Sequence, residues 1–159
     1  MIFAIDPGTT QSGWVLFDGD TVINCGITEN NALLEIMSKE IPDHQAKVAI
    51  EMIASYGMAV GASVFETCVW VGRFYEKAHR VSMFRPMLIY RKDVKVELCG
   101  TTKAKDANIR QALVDRFGEP GTKKNPGPTY GCKSHIWAAL GVAVVATESP
   151  EKSKILQVN

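Results

Sequence analysis

The chain has 159 residues, with 18 Lys and Arg against 17 Asp and Glu, so its formal net charge is +1. A chain of this length folds as one ordinary domain without disulfides or a structural metal, which excludes a two-domain enzyme. A total charge so near neutral is not typical of a nucleic-acid-binding protein, because phosphate binding usually requires a basic excess.

The four cysteines stand far apart and form neither a Cys-x-x-Cys pair nor any His/Cys spacing typical of zinc. We therefore expect reduced thiols. The first apolar run follows Met1 without a basic region or a cleavage site, and no apolar run approaches 18 residues. These features predict a cytoplasmic protein with no membrane partner.

The first half of the chain predicts a strand meander, then a helix and a further strand. The apolar run 2–5 ends at Asp6-Pro7-Gly8, which is typical of a buried strand entering a turn. The next expected elements are strands at 13–17 and 21–27 joined by Asp18-Gly19-Asp20, a helix over 29–40 stopped by Pro42, and a strand at 47–50 that meets Glu51.

The second half predicts alternating helices and strands. The expected elements are an amphipathic helix over 59–79, a strand at 80–84, a short helix over 87–93 that begins at Pro86, an extended stretch at 94–98, a helix over 105–117, a Gly/Pro/Lys loop over 118–132 and a buried helix over 133–147. A strand meander followed by helices and strands in alternation indicates a mixed α/β layer fold.

Two carboxylates each end a predicted strand. Asp6 follows the first strand and Glu51 follows the fourth. If those strands are neighbours in one sheet, both side chains lie at one edge, where their oxygens suit a hard divalent cation. Two such ions about 3.5 to 4 Å apart would activate a water and stabilise the leaving oxygen in phosphodiester hydrolysis. The ordinary alternatives are a turn residue for Asp6 and a helix N-cap acid for Glu51.

Three segments resemble RuvC-type Holliday junction resolvases in a phage-like short form. They are Asp6-Pro7-Gly8-Thr9-Thr10-Gln11-Ser12-Gly13-Trp14, Ala49-Ile50-Glu51 and Trp137-Ala138-Ala139-Leu140. The resemblance implies an RNase H-like fold with a mixed five-stranded sheet flanked by helices, as one nuclease domain over 1–147 followed by a polar tail over 148–159. It also implies a homodimer that nicks four-way DNA in pairs with two Mg²⁺ ions per site, for which Mn²⁺ substitutes, in the host cytoplasm if the protein is phage-encoded.

The resemblance also implies which residues form the site. Asp6 matches the aspartate of the first strand, Glu51 the glutamate of the fourth, and His135 the first of two site positions on the last helix. The second position is Ala138, which has no group that binds a metal. His135 is expected as a ligand better suited to Mn²⁺ than to Mg²⁺, or as a general base, with a capping or core histidine as the alternative.

Ala138 leaves three explanations open. The chain is a natural variant that works with Asp6, Glu51 and His135, or an inactive junction-binding protein, or a form with an engineered Asp-to-Ala change. Asp106 is a candidate for the missing carboxylate, although we favour the interpretation that it is the N-cap of its helix.

The charge is unevenly distributed along the sequence. Residues 1–84 carry 5 basic and 10 acidic side chains, whereas residues 85–133 carry 11 and 5. The basic segment predicts DNA contacts from Arg91, Lys92, Lys103, Lys105, Lys123, Lys124 and Lys133, with a merely solvated basic face as the alternative. After Glu51, Tyr56 and Met58 are candidates to stack or wedge at a junction, and core packing explains them equally well.

The segment Asp6-Pro7-Gly8-Thr9-Thr10 also resembles the phosphate loop of actin-like ATPases and sugar kinases. Those proteins need a second similar domain, for which this chain is too short, so no nucleotide cofactor is expected. The sequence therefore predicts a metal-dependent endonuclease that resolves Holliday junctions or other branched DNA. A catalytically impaired branched-DNA-binding protein is the alternative. The resemblance to RuvC-type resolvases also makes the helix over 59–79 the candidate dimer element, with an apolar stripe that only packs in the core as the alternative.

Overall fold

The computed structural model describes residues 1–55, 57 and 59–149. Within that part of the chain the strands are β1 (Ile2–Asp6), β2 (Gln11–Phe17), β3 (Val22–Glu29), β4 (Lys47–Met52), β5 (Met87–Tyr90), β6 (Gly121–Thr122) and β7 (Asn125–Pro126). The helices are α1 (Asn30–Asp43), α2 (Ala62–Val81), α3 (Arg91–Cys99), α4 (Asp106–Phe117) and α5 (His135–Glu148).

The main sheet has five strands in the order β3-β2-β1-β4-β5. The meander β1 to β3 is antiparallel, whereas β4 and β5 run parallel to β1. The mixed five-stranded sheet flanked by helices that the sequence predicts is therefore confirmed. Because β1 and β4 are parallel neighbours, their carboxyl ends lie at the same edge of the sheet.

Alternation along the strands divides the core into two layers. On one face, Phe3 and Ile5 pack with the apolar sides of α1 and α2. On the other, Ile2 and Ala4 pack against α5, with α3 and α4 outside it. Nearly every residue from Ile136 to Ala146 is buried, which explains why this helix is apolar all round instead of striped. The last helix thus packs on the central strands.

The structure corrects the predictions for residues 80–98. No strand forms at 80–84, because α2 continues to Val81; the fifth strand is Met87–Tyr90, where a short helix was expected. The expected extended stretch at 94–98 belongs to α3. Local patterns failed here because the short apolar run 87–89 is buried at the sheet and Val94 packs in the core beneath α5. Tertiary burial decided both assignments.

Three smaller differences concern element ends. Helix α1 extends to Asp43 and includes Pro42 in its last turn, where the carbonyl of Pro42 accepts a hydrogen bond from Gln45. Strand β4 extends to Met52, so Glu51 lies inside a strand and is not a helix N-cap acid. The loop expected at 118–132 contains the β6–β7 hairpin.

Among the described residues, no helix is both long and apolar enough to cross a membrane.

Candidate functional site

Asp6 and Glu51 lie side by side at one edge of the sheet. The register pairs Ile5 with Ile50, so the residues that follow them, Asp6 and Glu51, lie next to each other on the two strands. The two carboxyl groups are close enough for each to shift the pKa of the other. Each side chain is largely buried, at 17% and 12% exposed. The structure therefore brings together the two acids that the sequence placed at the ends of separate strands.

The electrostatics of this pair favour a bound cation. Burial and, after it, the neighbouring charge of Asp6 raise the pKa of Glu51 to about 8, against the lowering effect of Arg91. Burial also raises the pKa of Asp6, against the opposing effect of His135 and Arg91. Near neutral pH the pair therefore shares a proton, since two adjacent buried carboxylates repel each other.

His135 is the first residue of α5, and its Nδ1 lies 3.0 Å from Oδ2 of Asp6. The ring is 65% exposed, and the N-cap of the helix is Ser134, so His135 is neither a core nor a capping histidine. When Nδ1 carries the proton and donates to Asp6, Nε2 has the lone pair. This geometry suits a base or a ligand next to the two carboxylates.

Gly13 allows α5 to reach Asp6. It pairs with Asp6 across β1 and β2, and a Cβ built on Gly13 would stand 2.7 Å from the backbone carbon and oxygen of His135. Any other residue would push the start of the helix away. The preceding Ser134 has φ of 43° and ψ of −127°, a conformation that disfavours side chains, so the approach also carries backbone strain.

A buried polar network, which the sequence reasoning missed, fixes the turn after Asp6. Ser12 and Asn30 are 1% and 0% exposed, and the Ser12 hydroxyl donates to Oδ1 of Asn30 over 2.6 Å. The Asn30 amide donates to the carbonyl of Gly8, whose N–H donates to Ser12. Each polar group thereby has a partner, and the turn is held to the start of α1. The only signal in the sequence was that Ser12 and Asn30 are polar residues that border apolar segments.

Arg91, at the start of α3, links two acids across the cleft. Its Nη1 lies 3.5 Å from Oε2 of Glu51, and its Nη2 bonds to Oδ1 of Asp106. The N-cap of α4 is Lys105, so the prediction that Asp106 caps this helix is wrong. The Asp106 side chain, which is 84% exposed, instead bonds to Arg91.

These groups line an open cleft of about 850 Å³. Besides the site residues, it is lined by Ala138, one turn along α5 from His135. Among the described residues, no three His, Cys, Asp or Glu side chains are close enough to hold a metal ion in the present rotamers. His135 contacts only Oδ2 of Asp6 and Arg91 contacts only Oε2 of Glu51, so the second oxygen of each carboxylate is outside these two contacts.

The predicted DNA-contact residues divide into two groups. Arg91 and Lys133 line the cleft. The others are exposed and do not line it; these are Lys92, Lys103, Lys105, Lys123 and Lys124. Lys105 immediately precedes the first turn of α4, which lines the cleft. Lys123 and Lys124 form the turn of the β6–β7 hairpin. Tyr56 and Met58 lie outside the described residues.

Arg110 is a cleft residue that the sequence reasoning missed. It lies four residues after Asp106 on α4, and its guanidinium carbon is 5.6 Å from the centre of the Trp137 ring. Residues four apart share a helix face, so the spacing from Asp106 was the available signal.

None of the four cysteines is in a disulfide, as expected. Cys25 on β3 and Cys132 are half-buried, and the interaction between their thiols lowers the pKa of Cys25 and raises that of Cys132. Sγ of Cys25 also lies close to Gly131. This contact holds the segment before Ser134 against the sheet.

The fold is similar to that of two solved structures. The chain matches Thermus thermophilus RuvC with a TM-score of 0.69 and 18% identity, over 98% of this chain and 99% of that one. It matches T. thermophilus RuvC in complex with a Holliday junction substrate with a TM-score of 0.70 and 18% identity, over 98% of each chain. No protein-family model and no curated protein sequence matches. The RuvC-like, RNase H-like fold expected from the sequence is therefore confirmed along nearly the whole chain.

Proposed function

We propose that this protein is an endodeoxyribonuclease that resolves Holliday junctions or other branched DNA by metal-dependent hydrolysis of phosphodiesters. The observation that carries the proposal is the meeting of Asp6, Glu51 and His135 at one end of an open cleft. The similarity to a RuvC that was solved with a Holliday junction substrate supports four-way DNA as the substrate.

The residues present fit a divalent metal ion. Asp6 and Glu51 offer carboxylate oxygens at the same edge of the sheet, and burial raises the pKa of both groups, so a bound cation would relieve their mutual repulsion. His135 adjoins Asp6 through Nδ1, and its other nitrogen, Nε2, is kept for the attacking water and not for the ion. When bound, such an ion lowers the pKa of water and stabilises developing negative charge.

The chain's own groups then orient the reaction. The water oxygen forms a bond to phosphorus, the bond from phosphorus to its leaving oxygen breaks, and the water proton passes to Nε2 of His135. The leaving oxygen takes a proton from solvent. Asp6 accepts a hydrogen bond from Nδ1 of His135, which keeps the lone pair on Nε2 and stabilises the ring once it is protonated.

The DNA reaches this cleft along a basic surface. Lys133 lines the cleft, and exposed lysines stand on the adjoining helix start and the β6–β7 hairpin. Such side chains neutralise phosphates without reading sequence, which suits a nuclease that recognises branched shape.

A homodimer fits the exposed apolar side of α2. Phe65 and Val69, four residues apart on one face, are 61% and 63% exposed. A two-fold pairing through this face places two clefts against two symmetric strands of a four-way junction. Sedimentation of the purified protein should therefore report a dimer.

The experiment compares wild type with Glu51→Gln on labelled four-way junctions and on linear duplexes, each with Mg²⁺ and with Mn²⁺. Wild type should cleave the junctions, and Glu51→Gln should lose at least about 100-fold in rate because a metal-binding charge is removed. Junction binding by Glu51→Gln should persist. Glu35→Gln, an exposed acid on α1, is the matched control. Equal cleavage rates of wild type on junctions and on linear duplexes would overturn the proposal.

A second candidate, a junction-binding protein without activity, is favoured by one observation. Ala138 lines the cleft one turn from His135 and offers no metal-binding atom. This candidate predicts tight, metal-independent binding of four-way DNA without cleavage by wild type, and cleavage that appears in Ala138→Asp.

A further inference from the structure

The charges in the cleft set how many metal ions it can accommodate. Its lining carries three acids, Asp6, Glu51 and Asp106, and three bases, Arg91, Arg110 and Lys133, so with His135 neutral the formal net charge is zero. One divalent ion would bring this charge to +2, and a second would bring it to +4 before any phosphate enters.

Arg91 occupies the side of Glu51 that faces α4. Its guanidinium is fixed from two directions, by Glu51 and by Asp106, and its side chain is only 24% exposed. A planar fork can bond two acids at once and still present an N–H to a phosphate oxygen, which a lysine cannot do equally well. A guanidinium has no acceptor and repels a nearby cation.

The third carboxylate that lines the cleft beside Asp6 and Glu51 is therefore paired with an arginine. Asp106 bonds to Arg91, and Ala138, on the opposite helix, supplies no oxygen. The residues of this cleft thus provide one fixed positive charge where a second ion would need ligands.

We propose that Arg91 takes the place of a second metal ion, so that each protomer binds one divalent ion and Arg91 contacts the phosphate that is cleaved. This inference rests on the proposed metal-dependent hydrolysis and narrows it. Arg91 exchanges no proton; its N–H groups stabilise the charge that builds on the phosphate oxygens as the water attacks.

The test counts Mn²⁺ bound per chain by electron paramagnetic resonance, with and without a four-way junction, and measures cleavage in parallel. Wild type should bind one ion. Arg91→Gln should bind one ion and cleave at least about 100-fold more slowly. The double variant Arg91→Gln with Ala138→Asp should bind two ions and regain cleavage, since it exchanges the fixed charge for a ligand.

Arg80→Gln is the matched control, because Arg80 is an exposed arginine that bonds Glu76 on α2 away from the cleft. It should match wild type in both measurements. Arg91→Lys keeps the positive charge without the planar guanidinium, so it should bind one ion and cleave at an intermediate rate. If Arg91→Gln does not fold, the number of Mn²⁺ ions bound by wild type still tests the proposal.

Two Mn²⁺ ions per wild-type chain, or wild-type cleavage by Arg91→Gln, would overturn the role of Arg91 and leave the metal-dependent nuclease in place. Wild-type protein that binds no Mn²⁺ with or without the junction would overturn the metal-dependent reaction itself.

Discussion

The acidic edge of the sheet and the basic surface beside it are built in opposite ways. Asp6 and Glu51 are largely buried on adjacent strands, and their positions follow from the packing of the core. Lys103, Lys123 and Lys124 are exposed, on a loop and a hairpin turn. Cleavage chemistry requires fixed geometry, whereas attraction of a phosphate backbone requires charge alone. Changes at the acidic edge should therefore alter stability and activity together, and changes on the basic surface should alter binding.

The largest effect should be a pH dependence of stability in the metal-free protein. The pKa of Glu51 is about 8 in the folded state, against an ordinary value of 4.5 when unfolded. Between these values the folded state holds a proton that the unfolded state has released, so stability falls as pH rises from about 5 to 8. The limiting slope is about 1.4 kcal/mol per pH unit.

Urea unfolding in EDTA at several pH values, for wild type and Glu51→Gln, measures this effect. The neutral amide should remove much of the slope, and the difference between the two proteins should grow to a few kcal/mol by pH 8. Parallel curves across this range would show that Glu51 is ionised in the fold.

A smaller effect is expected at Gly13, where the strand meets the last helix. Gly13→Ala places a Cβ 2.7 Å from the backbone of His135, so the helix start must shift, at a cost of about 1 to 3 kcal/mol. Cleavage should fall because His135 moves from Asp6. Thermal unfolding and cleavage rate measure both consequences.

Gly72→Ala is the matched control, because Gly72 is an exposed glycine of α2 with open space around its Cα. It should gain up to about 1 kcal/mol of stability. If Gly13→Ala behaved like Gly72→Ala, the close approach of the helix would be of no consequence for the site.

The smallest effect should come from the basic surface. Changing Lys123 and Lys124 to Gln should weaken junction binding by roughly 3- to 10-fold and reduce the salt slope by about 2, without altering thermal stability. Binding titrations at several salt concentrations measure this, with Lys39→Gln on α1 as the control. An unchanged slope would show that the hairpin lies away from the DNA.

The acidic edge was also the more predictable region. Asp6 and Glu51 each follow an apolar run, and that local pattern sufficed to place both at the carboxyl ends of strands. His135 needed the resemblance to RuvC, because nothing local joins a residue to a partner 129 positions away. The bond from Arg91 to Asp106 and the network of Ser12 and Asn30 were not predictable, because they depend on how elements pack. The strand at 87–90 was missed for the same reason.

The bond between Asp6 and His135 joins the first strand to the last helix. During synthesis, Asp6 leaves the ribosome long before His135, and the helix that carries His135 must still pack on the central strands. Because contacts between residues far apart in sequence form slowly, we expect the site to be completed late in folding. A partly made chain therefore lacks the contact between Asp6 and His135, and under the proposed function the cleavage rate should report that the whole domain has folded.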